Sequence, residues 1–244
     1  MTKTTLPRCF AVVPAAGSGS RMQSVLPKQF LPLDGGTVLS RSIAQLLACE
    51  RIECVVVTLS DWPATVARPT ILDDPRVHLT RGGETRAHSV LAGLEYLCEF
   101  APADALVLVH DAARPCLRTE DVDRLIDTVL TDPANGGLLA VPVQDTLKRA
   151  GDTGRSVATV DRAQLWQAQT PQAFLLSALR EAIASALAQD ANITDEASAM
   201  ELIGCRPQLV EGRSDNIKIT RPTDLALAGV YIGLQTGETE PCPR

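Results

Sequence analysis

Short β-branched runs alternate along the chain with longer stretches in which apolar residues recur at helical spacing, and this alternation limits the possible folds. Residues 9–13, 53–59 and 105–109 are apolar enough to form strands that are buried on both faces. Between them, apolar residues recur at helical spacing around 37–49 and 90–98. Strands that alternate with helices predict a mostly parallel sheet covered on both faces. We therefore expect an α/β protein whose ligands bind beyond the carboxyl ends of the strands.

The second half of the chain continues this alternation after Thr119, which is predicted to cap a helix. The other expected elements are short strands near 77–79, 138–143 and 207–212, helices near 175–189 and 195–203, and a last helix from Pro222. Residues 144–166 show no helical period and contain turn glycines, which indicates a two-stranded excursion from the main sheet. Such a hairpin is only marginally stable alone in water, so it is expected to pack on another subunit or to close a site.

Composition disfavours several classes of partner. A chain of 244 residues that is 45% hydrophobic can form one domain with a sizeable core. Only 3% of the residues are aromatic and the net charge is -6, so neither a nucleic acid nor an anionic membrane surface is an expected partner. Seven scattered cysteines without a Cys-x-x-Cys pair are typical of core thiols in a reducing compartment. With no apolar leader at the N-terminus, a cytoplasmic location is expected.

A glycine-containing loop follows the first predicted strand. Residues 13–22 read Val-Pro-Ala-Ala-Gly-Ser-Gly-Ser-Arg-Met, and Pro27-Lys28-Gln29 comes shortly after them. The two glycines let the backbone approach a ligand closely, and successive N–H groups in such a turn bind anions. Arg21 and Lys28 add two cations, so the loop suits a polyphosphate. The third glycine of the dinucleotide-binding fingerprint is missing, and no Walker lysine follows.

Two further polar stretches fall where predicted strands end. Residues 82–89 read Gly-Gly-Glu-Thr-Arg-Ala-His-Ser, and their N–H groups, with Arg86 and Ser89, can bind a base or an anion. The alternative is that these are ordinary first-turn helix residues. Asp111, which follows the strand at 105–109, can hold a ribose hydroxyl or a phosphate-bound metal ion, or it is a plain turn residue. His110 is interpreted as a core histidine.

Two later cations form a second set. Arg162 presents a fork that can bind phosphate bidentately, and Lys218 lies between apolar residues. Each alone is more typical of a surface charge, but together with Arg21 and Lys28 they match two phosphate-bearing reactants. A phosphate monoester has a second pKa of about 6 and needs no general base. Its attack on the α-phosphate of a nucleoside triphosphate requires alignment, charge neutralisation and Mg²⁺.

These motifs, in this order, resemble those of the 2-C-methyl-D-erythritol 4-phosphate cytidylyltransferase family over about residues 8–234. Further matching stretches are Asp145-Thr146, Thr170-Pro171-Gln172, 193–198 and 211–218. The resemblance implies a three-layer, Rossmann-like nucleotidyltransferase fold in one domain, 1–244, with a mostly parallel sheet and a protruding β-arm at about 142–165. It also implies cytidylyl transfer from CTP to methylerythritol phosphate, with release of pyrophosphate, in the non-mevalonate isoprenoid pathway. The implied cofactor is Mg²⁺ or another divalent cation, and the implied assembly is a homodimer whose arm reaches the partner's site.

The resemblance also implies roles for individual residues. Those implied to be catalytic are Arg21, Lys28, Arg162 and Lys218. Those implied to bind CTP are Pro14, Ala15, Ala16, Gly17, Gly19, Arg21, Lys28, Gly83, Glu84, Arg86, Ser89 and Asp111. Those implied to bind the alcohol phosphate are Asp111, Arg114, Thr146, Arg162, Thr194 and Lys218, with Thr146 and Arg162 coming from the partner's arm. Asp111 and Asp215 are the candidates for direct metal ligation.

Three other functions stay open for the sequence alone. A cytidylyltransferase for another polyol phosphate, such as ribitol 5-phosphate, is similar over the same motifs. Ala112-Ala113 and Pro14-Ala15-Ala16 fit the methylerythritol form better. A nicotinamide oxidoreductase is disfavoured by the missing third glycine. A non-catalytic nucleotide-binding regulator would bind CTP without turnover.

Overall fold

The computed structural model describes residues 8–17 and 26–237. Gly19 and Arg21, which were predicted to bind the triphosphate, lie outside these ranges. The strands are β1 (Cys9–Pro14), β2 (Pro32–Leu33), β3 (Gly36–Thr37), β4 (Ile52–Leu59), β5 (Val77–Arg81), β6 (Leu106–Val109), β7 (Gly137–Pro142), β8 (Leu147–Ala150), β9 (Ser156–Val160), β10 (Trp166–Leu175) and β11 (Gln208–Glu211). The helices are α1 (Val38–Leu47), α2 (Arg86–Leu97), α3 (Thr119–Val129), α4 (Leu176–Ala188), α5 (Glu196–Leu202) and α6 (Pro222–Thr236).

A seven-stranded sheet of order β11-β7-β10-β6-β1-β4-β5 forms the middle layer. Its neighbouring strands run parallel except at β10, which is antiparallel to both β6 and β7. Side chains of β1 point alternately to the two faces, as the pleat requires. Ala11 and Val13 join the core beneath α1 and α3, whereas Phe10 and Val12 join the core beneath α2, α4 and α5. The predicted three-layer α/β fold with a mostly parallel sheet is confirmed.

The interior strand β10, which lies between β7 and β6, was not predicted. Its sequence interrupts apolar residues with three glutamines and a threonine, and it carries Pro171, which lacks the N–H that a ladder position needs. The pairing of β10 with β7 shifts register between Ala168 and Gln172, so the proline falls at an irregularity of the ladder. The prediction for Thr119 was wrong by one position, because Arg118 occupies the N-cap and Thr119 is the first helical residue.

A separate antiparallel hairpin of β8 and β9 stands outside the main sheet, between β7 and β10. Its base is tied where the Val143 N–H donates to the Leu165 carbonyl oxygen, 2.9 Å away. Val157 is 64% exposed on this hairpin, and Leu165 and Trp166 at its base are also exposed. Within residues 8–17 and 26–237, no helix has the length and apolar character needed to span a bilayer.

Candidate nucleotide and phosphate site

The candidate site lies beyond the carboxyl ends of β1 and β6. These strands are neighbours, yet the chain leaves β1 towards β4 on one side and leaves β6 towards β7 on the other. Such a divergence opens the crevice in which ligands of α/β sheets bind. Three cavities adjoin here, with volumes of about 280, 890 and 180 Å³, and we call them the first, second and third cavities.

The first cavity contains most of the residues predicted to bind CTP. Those among its lining residues are Pro14, Ala15, Ala16, Gly17, Lys28, Gly83, Glu84, Arg86, Ser89 and Asp111. Gln29, Thr85, Ala112, Ala113, Lys218 and Thr220 complete the lining. Glycine is required at position 82, because a Cβ there would clash with the side chain of Ala16. The loops after β1 and β5 can therefore approach each other closely.

Gln29 anchors the loop after β1. Its buried amide nitrogen donates to the carbonyl oxygens of Ala15, at 2.7 Å, and Gly17, at 2.9 Å. The preceding Lys28 is held by a bond of 2.9 Å from its Nζ to the carbonyl oxygen of Ile219. One short turn thus fixes both the glycine loop and the lysine beside it. The sequence contained this motif, but no role was predicted for Gln29.

Asp111 is the centre of the charge network. It is only 6% exposed, and its carboxylate accepts from Arg86 Nε at 3.0 Å and from Lys218 Nζ at 2.8 Å. Arg114 Nε lies 3.6 Å from the same carboxylate. Burial by itself raises the pKa of Asp111, but the charges of Arg86, Lys218 and Arg114 outweigh it and hold the pKa far below its usual range. Asp111 is therefore ionised at neutral pH.

Arg86 is held on its other side by Glu196. Its two terminal nitrogens bond both carboxylate oxygens of Glu196, at 2.6 and 3.0 Å. Burial alone lowers the pKa of Arg86, but the neighbouring charges of Glu196 and Asp111 raise it above the ordinary value. Glu196 is fully buried and was not predicted to serve the site. A residue 110 positions away cannot be paired with Arg86 from sequence spacing alone.

Lys218 lines all three cavities, and Arg114 lines the second and third. Thr194 lies in the third cavity and Asp215 in the second. Thr146 and Arg162 are exposed on or beside the hairpin and stand outside these three cavities of their own chain. The structure thus brings together the predicted residues of the sheet edge, while the predicted action of the two arm residues in a partner's site stays a prediction.

The carboxylates of the site offer little to a metal ion. Within the described ranges, no group of three or more His, Cys, Asp or Glu residues could hold one. Asp215 is bound by Arg118 at 2.6 Å and lies 3.6 Å from Arg213, whereas Asp111 borders the first cavity. The donor set fits a divalent cation that arrives with the triphosphate and keeps phosphate and water ligands, as Mg²⁺ commonly does.

The cysteines of the core offer no activated thiol. Burial raises the pKa of Cys9 and of Cys116 to about 12, and that of Cys54 to about 11. These thiols stay protonated at neutral pH, and the thiolate is the form that attacks. The predicted role as core thiols is confirmed for the four buried cysteines, Cys9, Cys49, Cys54 and Cys116. It is wrong for Cys98, which is exposed at the end of α2, and Cys205 is only partly buried.

Comparisons with known proteins give a consistent picture. The family model for IspD, 2-C-methyl-D-erythritol 4-phosphate cytidylyltransferase, matches residues 9–234. Proteins of that name from Pseudomonas putida and Haemophilus influenzae are 51% and 49% identical to this chain over 225 and 222 residues. These alignments cover 90% and 91% of this chain and 94% and 95% of the relatives. A crystal structure of 4-diphosphocytidyl-2C-methyl-D-erythritol synthase superposes with a TM-score of 0.79 at 38% identity, covering 93% of this chain and 99% of that one.

His110 makes a testable contribution to stability. Burial disfavours the charged ring and lowers the pKa of His110 to about 4, despite the opposing charge of Asp111. As the pH falls, the unfolded chain takes up a proton on this histidine first, because its pKa there is about 6.5. The contribution of the neutral His110 ring to the free energy of unfolding is therefore complete above about pH 6.5 and is lost as the pH falls towards 4. Between pH 7.5 and 5, the unfolding free energy should fall by about 2 kcal/mol more in the wild type than in His110→Asn. Urea denaturation of both proteins measures this, and equal pH dependence would contradict a buried neutral ring.

Proposed function

Since this chain belongs to the 2-C-methyl-D-erythritol 4-phosphate cytidylyltransferase family, we propose that its first cavity binds CTP and that Lys218 stands between CTP and the alcohol phosphate. The chain transfers a cytidylyl group from CTP to 2-C-methyl-D-erythritol 4-phosphate, a step of the non-mevalonate isoprenoid pathway. The named relatives do not support a nicotinamide oxidoreductase, a ribitol phosphate enzyme or a non-catalytic regulator.

The position of Lys218 carries the proposal. Its ammonium group lies 2.8 Å from Asp111 and borders the first cavity as well as the second and third. The glycine loop and Lys28 lie on one side of it, and Arg114 and Thr194 lie on the other. A cation in this position can neutralise charge on both the nucleophilic phosphate and the α-phosphate. Negative charge accumulates at these two groups during a phosphoryl or nucleotidyl transfer.

The chain needs little acid–base chemistry for this reaction. The alcohol phosphate is largely ionised at neutral pH, because its second pKa is about 6, and it attacks the α-phosphorus without a general base. The bond to the β-phosphate breaks and pyrophosphate leaves. We propose that Lys28 neutralises the charge of the triphosphate and of the pyrophosphate that leaves it. The backbone of Ala15–Gly17 and Ser89 would contact the cytidine, and Arg114 would bind the alcohol phosphate. Arg21 and Gly19, outside the described residues, remain predicted members of the triphosphate site.

A divalent cation completes the proposal. Asp111 is the carboxylate that would lie beside it, and the cation would supply charge neutralisation at the phosphates. Asp215 is less suited to this role, because it borders the second cavity and not the first, where the triphosphate is proposed to lie.

A homodimer is also part of the proposal. The hairpin carries exposed apolar side chains, and a two-stranded hairpin is marginal without a partner. Thr146 and Arg162 lie on this excursion and would meet the alcohol phosphate of the other subunit. A closed twofold arrangement would then give each site one arm from its neighbour.

Lys28→Ala tests the assignment of the first cavity. Loss of one charge-stabilising contact should lower kcat by about 100-fold while the protein stays folded. Pyrophosphate release with CTP and methylerythritol phosphate measures the rate, and circular dichroism checks the fold. Arg180→Ala, which removes a partly exposed cation on α4, is the control and should keep the wild-type rate. An unchanged kcat in Lys28→Ala would remove the proposed role of this lysine.

Arg162→Ala tests the arm. It should raise the KM for methylerythritol phosphate by at least about tenfold, because a bidentate phosphate contact is lost, while CTP affinity changes little. Arg155→Ala, a cation in the exposed turn of the same hairpin, controls for the general effect of charge on the arm. An equal loss of affinity for both substrates would argue against the proposed division.

Mixed dimers show whether the arm acts on its neighbour. Arg162→Ala and Lys28→Ala chains are unfolded together and refolded as a mixture. If the arm serves the partner's site, each hybrid dimer has one intact site, and random pairing restores about a quarter of the wild-type activity. If the arm serves its own chain, no site is intact and the mixture shows only the mean activity of the two parent variants. The assay uses methylerythritol phosphate well below its KM, where the tenfold weaker binding of Arg162→Ala keeps that mean at about a twentieth of the wild-type rate.

A further inference from the structure

Thr170 lies in β10, directly beneath the charge network, and is only 4% exposed. It belongs to the Thr-Pro-Gln motif of the sequence, to which the proposed reaction gives no role. Three groups contact it, two from adjacent residues after β6 and one from the segment between β11 and α6. Its hydroxyl oxygen lies 2.9 Å from the Asp111 backbone nitrogen and 3.0 Å from His110 Nδ1, and its carbonyl oxygen accepts from Asn216 Nδ2 at 3.0 Å.

The directions of these hydrogen bonds follow from the chemistry of the partners. His110 Nε2 lies 3.0 Å from the Arg114 carbonyl oxygen, which can only accept, so Nε2 carries the proton. In a neutral ring the other nitrogen, Nδ1, is then an acceptor. The single hydroxyl proton of Thr170 must point at Nδ1, and a lone pair of the same oxygen is left for the Asp111 N–H.

The resulting chain of bonds ties both ends of one turn. It runs from the Asp111 N–H through the Thr170 hydroxyl and the His110 ring to the carbonyl oxygen of Arg114. The turn is closed by the Arg114 N–H, which donates to the Asp111 carbonyl oxygen at 3.1 Å. Fully satisfied buried networks of this kind restrict the geometry of the groups that they join.

The carbonyl of Thr170 extends this control to the segment that carries Lys218. Asn216, held by that carbonyl, accepts on its own backbone oxygen a bond of 2.6 Å from the Arg114 guanidinium. Lys218 follows two residues later. Both hydrogen bonds join segments that are far apart in sequence, so the segments of Arg114, Thr170 and Asn216 meet at one point.

We propose that Thr170 is a positioning residue of cytidylyl transfer, whose hydroxyl sets Asp111 and Arg114 and whose carbonyl sets the segment of Lys218. This inference rests on the roles proposed above for Asp111 and Lys218. Thr170 lines the third cavity, but its hydroxyl is engaged by the Asp111 N–H and by His110 Nδ1. It acts by keeping the carboxylate and the cations in the arrangement that two phosphates require.

Thr170→Val and Thr170→Ser separate the hydroxyl from the shape of the side chain. Valine keeps the branched shape and removes the hydrogen bonds, and should lower kcat/KM by about tenfold, the effect of one well-placed neutral hydrogen bond. Serine keeps the hydroxyl and should stay within about twofold of the wild type. Val129→Ala, in the buried face of α3, controls for lost stability without contact to the site and should leave kcat unchanged. A Thr170→Val enzyme as active as Thr170→Ser would overturn the inference.

Nitrogen-15 spectra of the histidine rings test the same inference without relying on a variant that must fold. The wild type should show His110 as the neutral Nε2–H form, with an unprotonated Nδ1 that accepts a hydrogen bond. A proton on Nδ1 of the wild type would overturn the inference. Lys218→Ala distinguishes this failure from that of the proposed function. If Lys218→Ala retains full activity, the proposed role of Lys218 fails. If it loses activity while Thr170→Val does not, only the inference about Thr170 fails.

Discussion

One buried carboxylate allows the cations of this site to converge. Arg86, Arg114 and Lys218 all lie close to Asp111, and without it three positive charges would repel one another in a poorly hydrated crevice. Burying the carboxylate is itself unfavourable, and the three cations offset that cost. The arrangement is stable before any phosphate binds, and it leaves positive charge facing the cavities where phosphates of both reactants are proposed to lie.

The fold supplies these charges from distant parts of the chain. Asp111 and Arg114 follow β6, Arg86 begins α2, and Glu196 begins α5. Lys218 lies in the segment between β11 and α6, which is fixed where the Ile219 N–H donates to the Ala113 carbonyl oxygen at 2.8 Å. Because parallel strands end at the same edge of a sheet, loops remote in sequence meet there. The divergence of the chain between β1 and β6 provides the space between them.

Sequence patterns predicted most of the fold because its strands and helices have strong periodicity. The strand of the main sheet that they missed, β10, has polar residues and an internal proline, and its place between β6 and β7 is decided by tertiary pairing. In the site, loops with glycines and cations were visible because their local chemistry is distinctive. The residues that hold those loops in place could not be predicted, because Glu196 and Thr170 act through contacts with residues more than 50 positions away.

The Asp111 carboxylate organises the site for both reactants, and Asp111→Asn removes its charge while the amide keeps the shape of the side chain. Arg86 and Lys218 then lose the charge that holds them. We expect kcat/KM to fall by about 100-fold or more for both CTP and methylerythritol phosphate in a folded protein, while Asp104→Asn, at an exposed position before β6, has no effect. An Asp111→Asn enzyme that retains wild-type kcat/KM for either substrate would contradict this role of the carboxylate.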